Sequence, residues 1–146
     1  MAGKLNLVKL CVGVSSVAEL QAWRDRKRAE ARARGEEYFT RHVTRMWPRR
    51  AGEILGGGSL YWVIGGVIRV RQRVLRFDER IGADGIRRCA IVMDPELIRT
   101  EAQPRRAFQG WRYLEARDAP RDLARTGADR SIPAELQEEL ARIGVR

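Results

Sequence analysis

Two runs of β-forming residues meet at a glycine pair: Ser59 to Ile64 (SLYWVI), Gly65-Gly66, and Val67 to Phe77 (VIRVRQRVLRF). Apolar, branched and aromatic residues at this density read as strands, and the glycine pair marks a bend, a bulge or a close backbone approach. Strand side chains alternate faces. Arg69, Arg71 and Arg73 therefore point one way, and Ile68, Val70 and Val74 point to the core with Gln72 among them. Three like charges along one sheet face repel one another, so water, acidic partners or phosphates must neutralise them. The stretch cannot span a bilayer, because Ser59 to Ile68 is about half the length required.

The remaining elements follow from local pattern. Leu5 to Val12 reads as a buried strand. Ser16 and Glu19 form a capping box ahead of a helix over residues 17–33, with Val17, Leu20 and Trp23 on its packed face. The alternation of charge and alanine beyond Trp23 describes a solvated helix, and Gly35 its C-cap. Phe39 to Met46 reads as a strand and Arg49 to Leu55 as a short helix. Gly82 to Gly85 is turn chemistry between Val67–Phe77 and a returning strand Ile86–Met93, a hairpin. Asp94-Pro95-Glu96 predicts a short helix to about Arg99. Residues 103–114 read as loop plus strand, and 118–123 as a capped turn. A last helix opens at Ser131-Ile132-Pro133, with Leu136, Leu140 and Ile143 at helical spacing.

This order gives an α+β fold. Its sheet is small, mixed and mostly antiparallel, curled into a pseudo-barrel with flanking helices. We expect one domain over residues 1–123, and a linker with an amphipathic helix packed on it over 124–146. The opening residues carry Lys4 and Lys9 and lack a small-residue cleavage site, so no secretory signal is read there. Cys11 and Cys89 lie in apolar runs and form no CxxC pair, which fits free thiols in the cytoplasm. One histidine and no cysteine cluster leave no expected metal site, and no cofactor is expected.

The chain carries 29 basic and 19 acidic side chains, a formal net charge of +10. Residues 41–113 hold fifteen arginines against seven acidic residues, so most of the excess is central. That predicts a basic surface built by the middle of the chain. Besides Arg69, Arg71 and Arg73, the candidates are Arg105, Arg106 and Arg112, interleaved with Phe108, Trp111 and Tyr113. Guanidinium groups suit bidentate phosphate contacts, and Trp111 or Tyr113 could stack on a base. Arg41, Arg45, Arg49 and Arg50 surround Trp47 in a third cluster. Gly56-Gly57-Gly58 is punctuation, since no Lys-Ser/Thr follows it.

The strings LVKLCVG (7–13), GGSLYWVIGGVIRVRQRVL (57–75), DGIRRCAIVMDPELIRTE (84–101) and PRRAFQGWRYLEARDAPRDL (104–123) resemble the domain of unknown function 1489 family. The resemblance covers roughly residues 5–123, and FQGWRYL is a distinctive part of it. It implies a small cytoplasmic bacterial protein and brings no established activity or catalytic residue. The family's usual string reads LYWVIKG; Gly65 stands here in place of its lysine. At the level of element order the chain is also similar to the PUA, ASCH and EVE group of pseudo-barrels, many of which bind RNA or a modified base.

The expected function is a nucleic-acid-binding module, for RNA rather than DNA and without a membrane partner. One rival is a small hydrolase or nuclease acting on RNA or a nucleotide derivative, with His42 or Glu101 as base. Another is a protein-interaction factor using the C-terminal helix.

Overall fold

The computed structural model describes residues 5–123. Within them are seven strands and two helices: β1 (Leu5–Leu10), α1 (Val17–Ala33), β2 (Thr40–Thr44), α2 (Ala51–Leu55), β3 (Ser59–Ile64), β4 (Val67–Ile81), β5 (Arg87–Met93), β6 (Ile98–Pro104) and β7 (Trp111–Glu115). One 3-10 turn, Ala116–Asp118, follows β7. The linker and helix expected over residues 124–146 lie outside the described residues.

The sheet is mixed, with strand order β2-β5-β4-β3-β1-β7. Among the described residues only the β1–β3 pairing is parallel, and the other ladders are antiparallel. β4 organises the whole. Its residues from Val67 to Arg73 pair with β3, and Val74 to Ile81 pair with β5. The Gly65-Gly66 pair closes the β3–β4 hairpin with φ of 61° and 80°. Two positive φ values are what a tight hairpin turn matched to strand twist needs, and glycine adopts them without steric cost.

No ladder closes the sheet into a barrel among the described residues. β2 is five residues long, and the chain leaving it meets β7 through single bonds instead: Trp111 Nε1 donates to the Met46 carbonyl at 2.9 Å, and the Arg50 amide donates to the Tyr113 hydroxyl at 3.2 Å.

The helix expected after Asp94 does not form. Asp94 does cap a turn, accepting from the Glu96 amide at 2.9 Å. The chain then continues as β6 along β4, pairing Ile98 with Arg71 and Pro104 with Val67. A ladder against a central strand outweighs a five-residue helix, whose nucleation is unfavourable. A single bridge, Thr100 to Asp122, lays the end of the described chain along β6.

Two apolar clusters sandwich the sheet. The larger contains Leu5, Leu7, Leu60, Trp62, Ile64, Val70, Val74, Ile91, Met93 and Trp111, and is covered by Val17 and Leu20 of α1 and Ile54 of α2. The smaller contains Val8, Tyr61, Val63, Ile68 and Leu114. Ile68 therefore faces away from Val70. Register shifts between Ile68 and Val70, and between Trp62 and Val63, break the strict alternation there.

α1 spans the residues expected, but its buried stripe is Val17, Leu20, Arg24 and Ala31. Trp23 lies outside that stripe and is 41% exposed. The cap also differs. Ser16 Oγ accepts from the Glu19 amide at 3.1 Å, whereas the Glu19 carboxylate accepts from the amide and hydroxyl of Ser15.

Candidate functional site

β1 and β3 run parallel and finish at the same end of the sheet, beside the Gly65-Gly66 turn and the starts of β4 and β7. At that end, a cleft of about 430 Å³ opens between the last residues of β1, the loop to α1, the first turns of α1, and β2. Lys9 shares the parity of Leu5 and Leu7 on β1, so it faces the cleft side of the sheet. α1 contributes Leu20, Trp23, Arg24 and Arg26, β2 contributes Arg41 and His42, and Trp62 of β3 completes the lining.

The cleft is cationic. Lys9, Arg24, Arg26 and Arg41 line it, and among the described residues Glu19 is the one carboxylate in that lining. Ser15 holds that carboxylate: its hydroxyl and amide both donate to Glu19, which lowers the carboxyl pKa below its ordinary value. Burial, aided by Lys9 and Arg24, pushes the His42 pKa down to about 4, so the imidazole is neutral near pH 7. Burial raises the Cys11 pKa, outweighing the opposing effect of Arg24 and Lys9, and leaves a thiol rather than a nucleophilic thiolate.

Behind the cleft, Gln72 joins four elements. Its carbonyl oxygen accepts from Trp62 Nε1 at 2.9 Å and from Arg24 Nη2 at 3.2 Å. Its amide nitrogen donates to Thr40 Oγ1 at 3.1 Å and to the Asp94 carbonyl at 2.8 Å. A fully buried glutamine with every hydrogen-bonding group engaged is a fixed scaffold. It anchors the Arg24 guanidinium and the Trp62 ring together.

The sequence-predicted residues divide into distinct groups. Arg69 is buried, with Nε donating to the Ile64 carbonyl at 3.0 Å, and it braces the β3–β4 turn. Arg71 is buried too; it donates to both Asp122 oxygens and to Ser59 Oγ. Arg73 is exposed but lines a different groove with Asp94 and Glu96. It pairs with Ser59, at the end of β3 opposite the Gly65-Gly66 turn. The register shift at Arg69 and the burial of Arg69 and Arg71 break up the row of three, so it forms no continuous exposed rail.

Arg105 and Arg112 do gather, at Phe108. Arg105 and Arg112 place their guanidinium carbons 5.6 and 5.3 Å from the Phe108 ring centroid. Arg105 lies against the Gly65-Gly66 turn, its amide donating to the Gly66 carbonyl at 2.8 Å, and Arg106 is exposed beside it. No carboxylate among the described residues pairs with these three. Arg112 pairs with Val8 and Lys9 with Trp111 across the β1–β7 ladder, so this group and the cleft occupy opposite faces of one sheet end.

Trp111 is 4% exposed and belongs to the larger core; its ring meets Tyr113 edge-on at 5.0 Å. Tyr113 is half-buried, with Arg50 over its ring at 5.7 Å. Of the third cluster, Arg50 pairs with Glu53 and Arg41 lines the cleft. Trp47 is covered by Arg87 at 4.0 Å. Glu101 pairs with Arg121 at 3.8 Å and does not line the cleft that holds His42.

Sequence reasoning missed Lys9, Trp23, Arg24 and Arg26 as site residues. One signal was present: Arg24 falls four residues after Leu20 and seven after Val17, a charge on the apolar stripe of a helix.

No curated protein and no solved structure matches the chain. A family model, described as protein of unknown function (DUF1489), matches residues 7–146, nearly the whole length, and the chain belongs to that family.

Proposed function

We propose that this protein is a nucleic-acid-binding module that takes single-stranded RNA at the sheet end bearing the cleft. One observation carries the reading: a concave site lined by Lys9, Arg24, Arg26 and Arg41, with one carboxylate already held by Ser15, and with the exposed Trp23 ring at its side. Cationic grooves combined with aromatic rings are the recurrent physical solution for single strands, where guanidinium and ammonium groups meet phosphates and rings stack on bases. Arg105, Arg106 and Arg112, on the opposite face of the same sheet end, add positive surface for a flanking phosphate of a strand that passes round that end. In this reading Arg69, Arg71 and Trp111 support the platform, Tyr113 braces the loop after β2, and Arg73 lies apart. The free thiols Cys11 and Cys89 suit a reducing compartment such as the cytoplasm. The likeness to PUA-type domains remains one of element order and adds no functional weight.

The hydrolase reading has one observation in its favour: neutral His42 lies in the cleft. A base with a pKa near 4 is weak at neutral pH, and Cys11 beside it stays protonated. Binding is therefore the better-supported function.

The test is purification of the full chain without nuclease, followed by fluorescence anisotropy with labelled single-stranded RNA across a salt series. The expected result is co-purifying nucleic acid and an affinity that falls steeply, log against log, with salt. Absence of both at low salt overturns the reading. Turnover of RNA or nucleotides that disappears in His42→Ala would establish the hydrolase instead.

A further inference from the structure

We propose that the cleft between β1, α1 and β2 receives one nucleoside monophosphate unit, with the phosphate against Arg24, Lys9 and Arg41 and the base against Trp23. This rests on the nucleic-acid reading and names the unit that enters the cleft.

Arg24 is the reason. It is only 7% exposed, yet no carboxylate among the described residues pairs with it. Among the described residues its one hydrogen bond goes to the neutral amide of Gln72, its buried Nε has no acceptor, and its only aromatic contact is the uncharged Trp23 ring, 5.1 Å away. A cation withdrawn from water without a counter-charge is costly, and the neutral imidazole of His42 nearby offers no compensation. An anion in the cleft supplies the missing charge. Phosphate suits the planar guanidinium, and Lys9 and Arg41 add two further cations to the same lining.

The shape limits the ligand to one unit. About 430 Å³ lies within the range of small-molecule sites, roughly 300–1,000 Å³, and β1, α1, β2 and Trp62 of β3 all contribute to the lining. A nucleotide turned out of a strand fits this description, because such recognition seats one base in a pocket while the strand stays outside. A free mononucleotide presents the same chemistry. Trp23 supplies the stacking surface: the indole is 41% exposed, and the Arg24 guanidinium carbon and Lys27 Nζ lie 5.1 and 5.6 Å from its ring centroid, so a base there would sit beside the cations that meet its phosphate.

The experiment titrates the full chain with adenosine and uridine 5′-monophosphates, the matching nucleosides, inorganic phosphate and a short single-stranded RNA, following tryptophan fluorescence and heat. Monophosphates are expected to bind at least about tenfold tighter than nucleosides or phosphate alone, the ratio one good charge-assisted contact supplies. Arg24→Gln should weaken binding by at least about tenfold. That variant also disturbs Gln72, so Arg41→Gln and Trp23→Ala, both at exposed positions, serve as controls that keep the fold. Each is expected to weaken monophosphate binding several-fold to about tenfold.

Nucleosides binding as well as monophosphates, or Arg41→Gln and Trp23→Ala without effect, would overturn the proposal. RNA held equally by wild type and both variants sinks the cleft assignment while leaving RNA binding intact. Monophosphates bound at the cleft with no RNA bound at any salt removes the RNA reading and makes a free mononucleotide the ligand. RNA displaced by monophosphate identifies the extruded nucleotide.

Discussion

Arg71 and Asp122 lie 51 residues apart in sequence and meet through two parallel bonds, each 2.8 Å long. The guanidinium is buried, while the carboxylate keeps 40% of its side-chain surface in water. The pair ties the end of the described chain across β6 to the central strand. Arg71→Gln is expected to cost about 2 kcal/mol, less than the ~3–5 typical of a fully buried pair, because Asp122 is partly solvated. Asp122→Asn should cost a similar amount. The double variant should cost little more than either single one, read as urea midpoints at constant slope.

Gln72 is the second determinant of the core. Replacing it with Leu strands the Trp62 indole N–H, the Arg24 guanidinium, the Thr40 hydroxyl and the Asp94 carbonyl. Each buried unsatisfied group costs about 1–3 kcal/mol, though partial relaxation keeps the total below their sum. A destabilisation of at least about 3 kcal/mol is expected by chemical denaturation. A change under about 1 kcal/mol would mean the network contributes nothing to folding.

His42 makes stability depend on pH. Its pKa is about 4 in the folded protein against an ordinary 6.5, so between those values the unfolded chain binds more protons. Stability therefore rises as pH increases from 4 to 6.5, and is lost as pH falls through that window. In His42→Asn the slope of the urea midpoint against pH should flatten between 4 and 6.5. An NMR titration of the wild-type imidazole should show its midpoint well below 6.5.

Two glycines near α2 should respond oppositely to alanine. A Cβ on Gly58 would collide with the carbonyl oxygen of Leu5 and lie 2.7 Å from that of Ile54, both backbone atoms. Gly58→Ala is expected to cost more than about 3 kcal/mol or to prevent folding. Gly52 sits in α2 with nothing within 4 Å of the same added atom. Gly52→Ala should therefore stabilise by up to about 1 kcal/mol, through helix propensity. Thermal melts of the two variants decide this.

Local chemistry made much of this fold legible before any coordinates. Val17–Ala33 and Ser59–Ile64 appear with the expected bounds, since caps, glycines and hydrophobic period are local signals. β6 was not legible. Asp94-Pro95-Glu96 carries a helix start, and only the vacant edge of β4 recruits Ile98–Pro104 into a ladder. The site was half legible for a similar reason. Arginine-rich strings identify charge but not burial, so Arg69 and Arg71 look like Arg73 in sequence, whereas the sheet buries the first two. Arg24 and Lys9 converge only because the first turns of α1 and the end of β1 line one cleft, a relation that no spacing rule encodes.

The arginines around Phe108 give the last test. Arg105 and Arg112 flank Phe108, and Arg106 stands in water beside them, with no described carboxylate to neutralise any of the three. Their replacement by Gln removes charge from side chains that make no fully buried hydrogen bond; the Arg112 bond to the Gln109 carbonyl is exposed and that to the Trp111 carbonyl part-buried. The melting temperature should therefore move little, whereas Arg69→Gln or Arg71→Gln should lower it, because those guanidinium groups are inside the protein. If RNA tracks this face, removing one arginine–phosphate pair reduces the slope of log affinity against log salt by roughly 0.7, the value for single strands. The triple Gln variant should then shift that slope by about 2, with affinity reduced across unrelated sequences alike. An unchanged slope would leave the cleft as the place where RNA binds and assign Arg105, Arg106 and Arg112 to solubility.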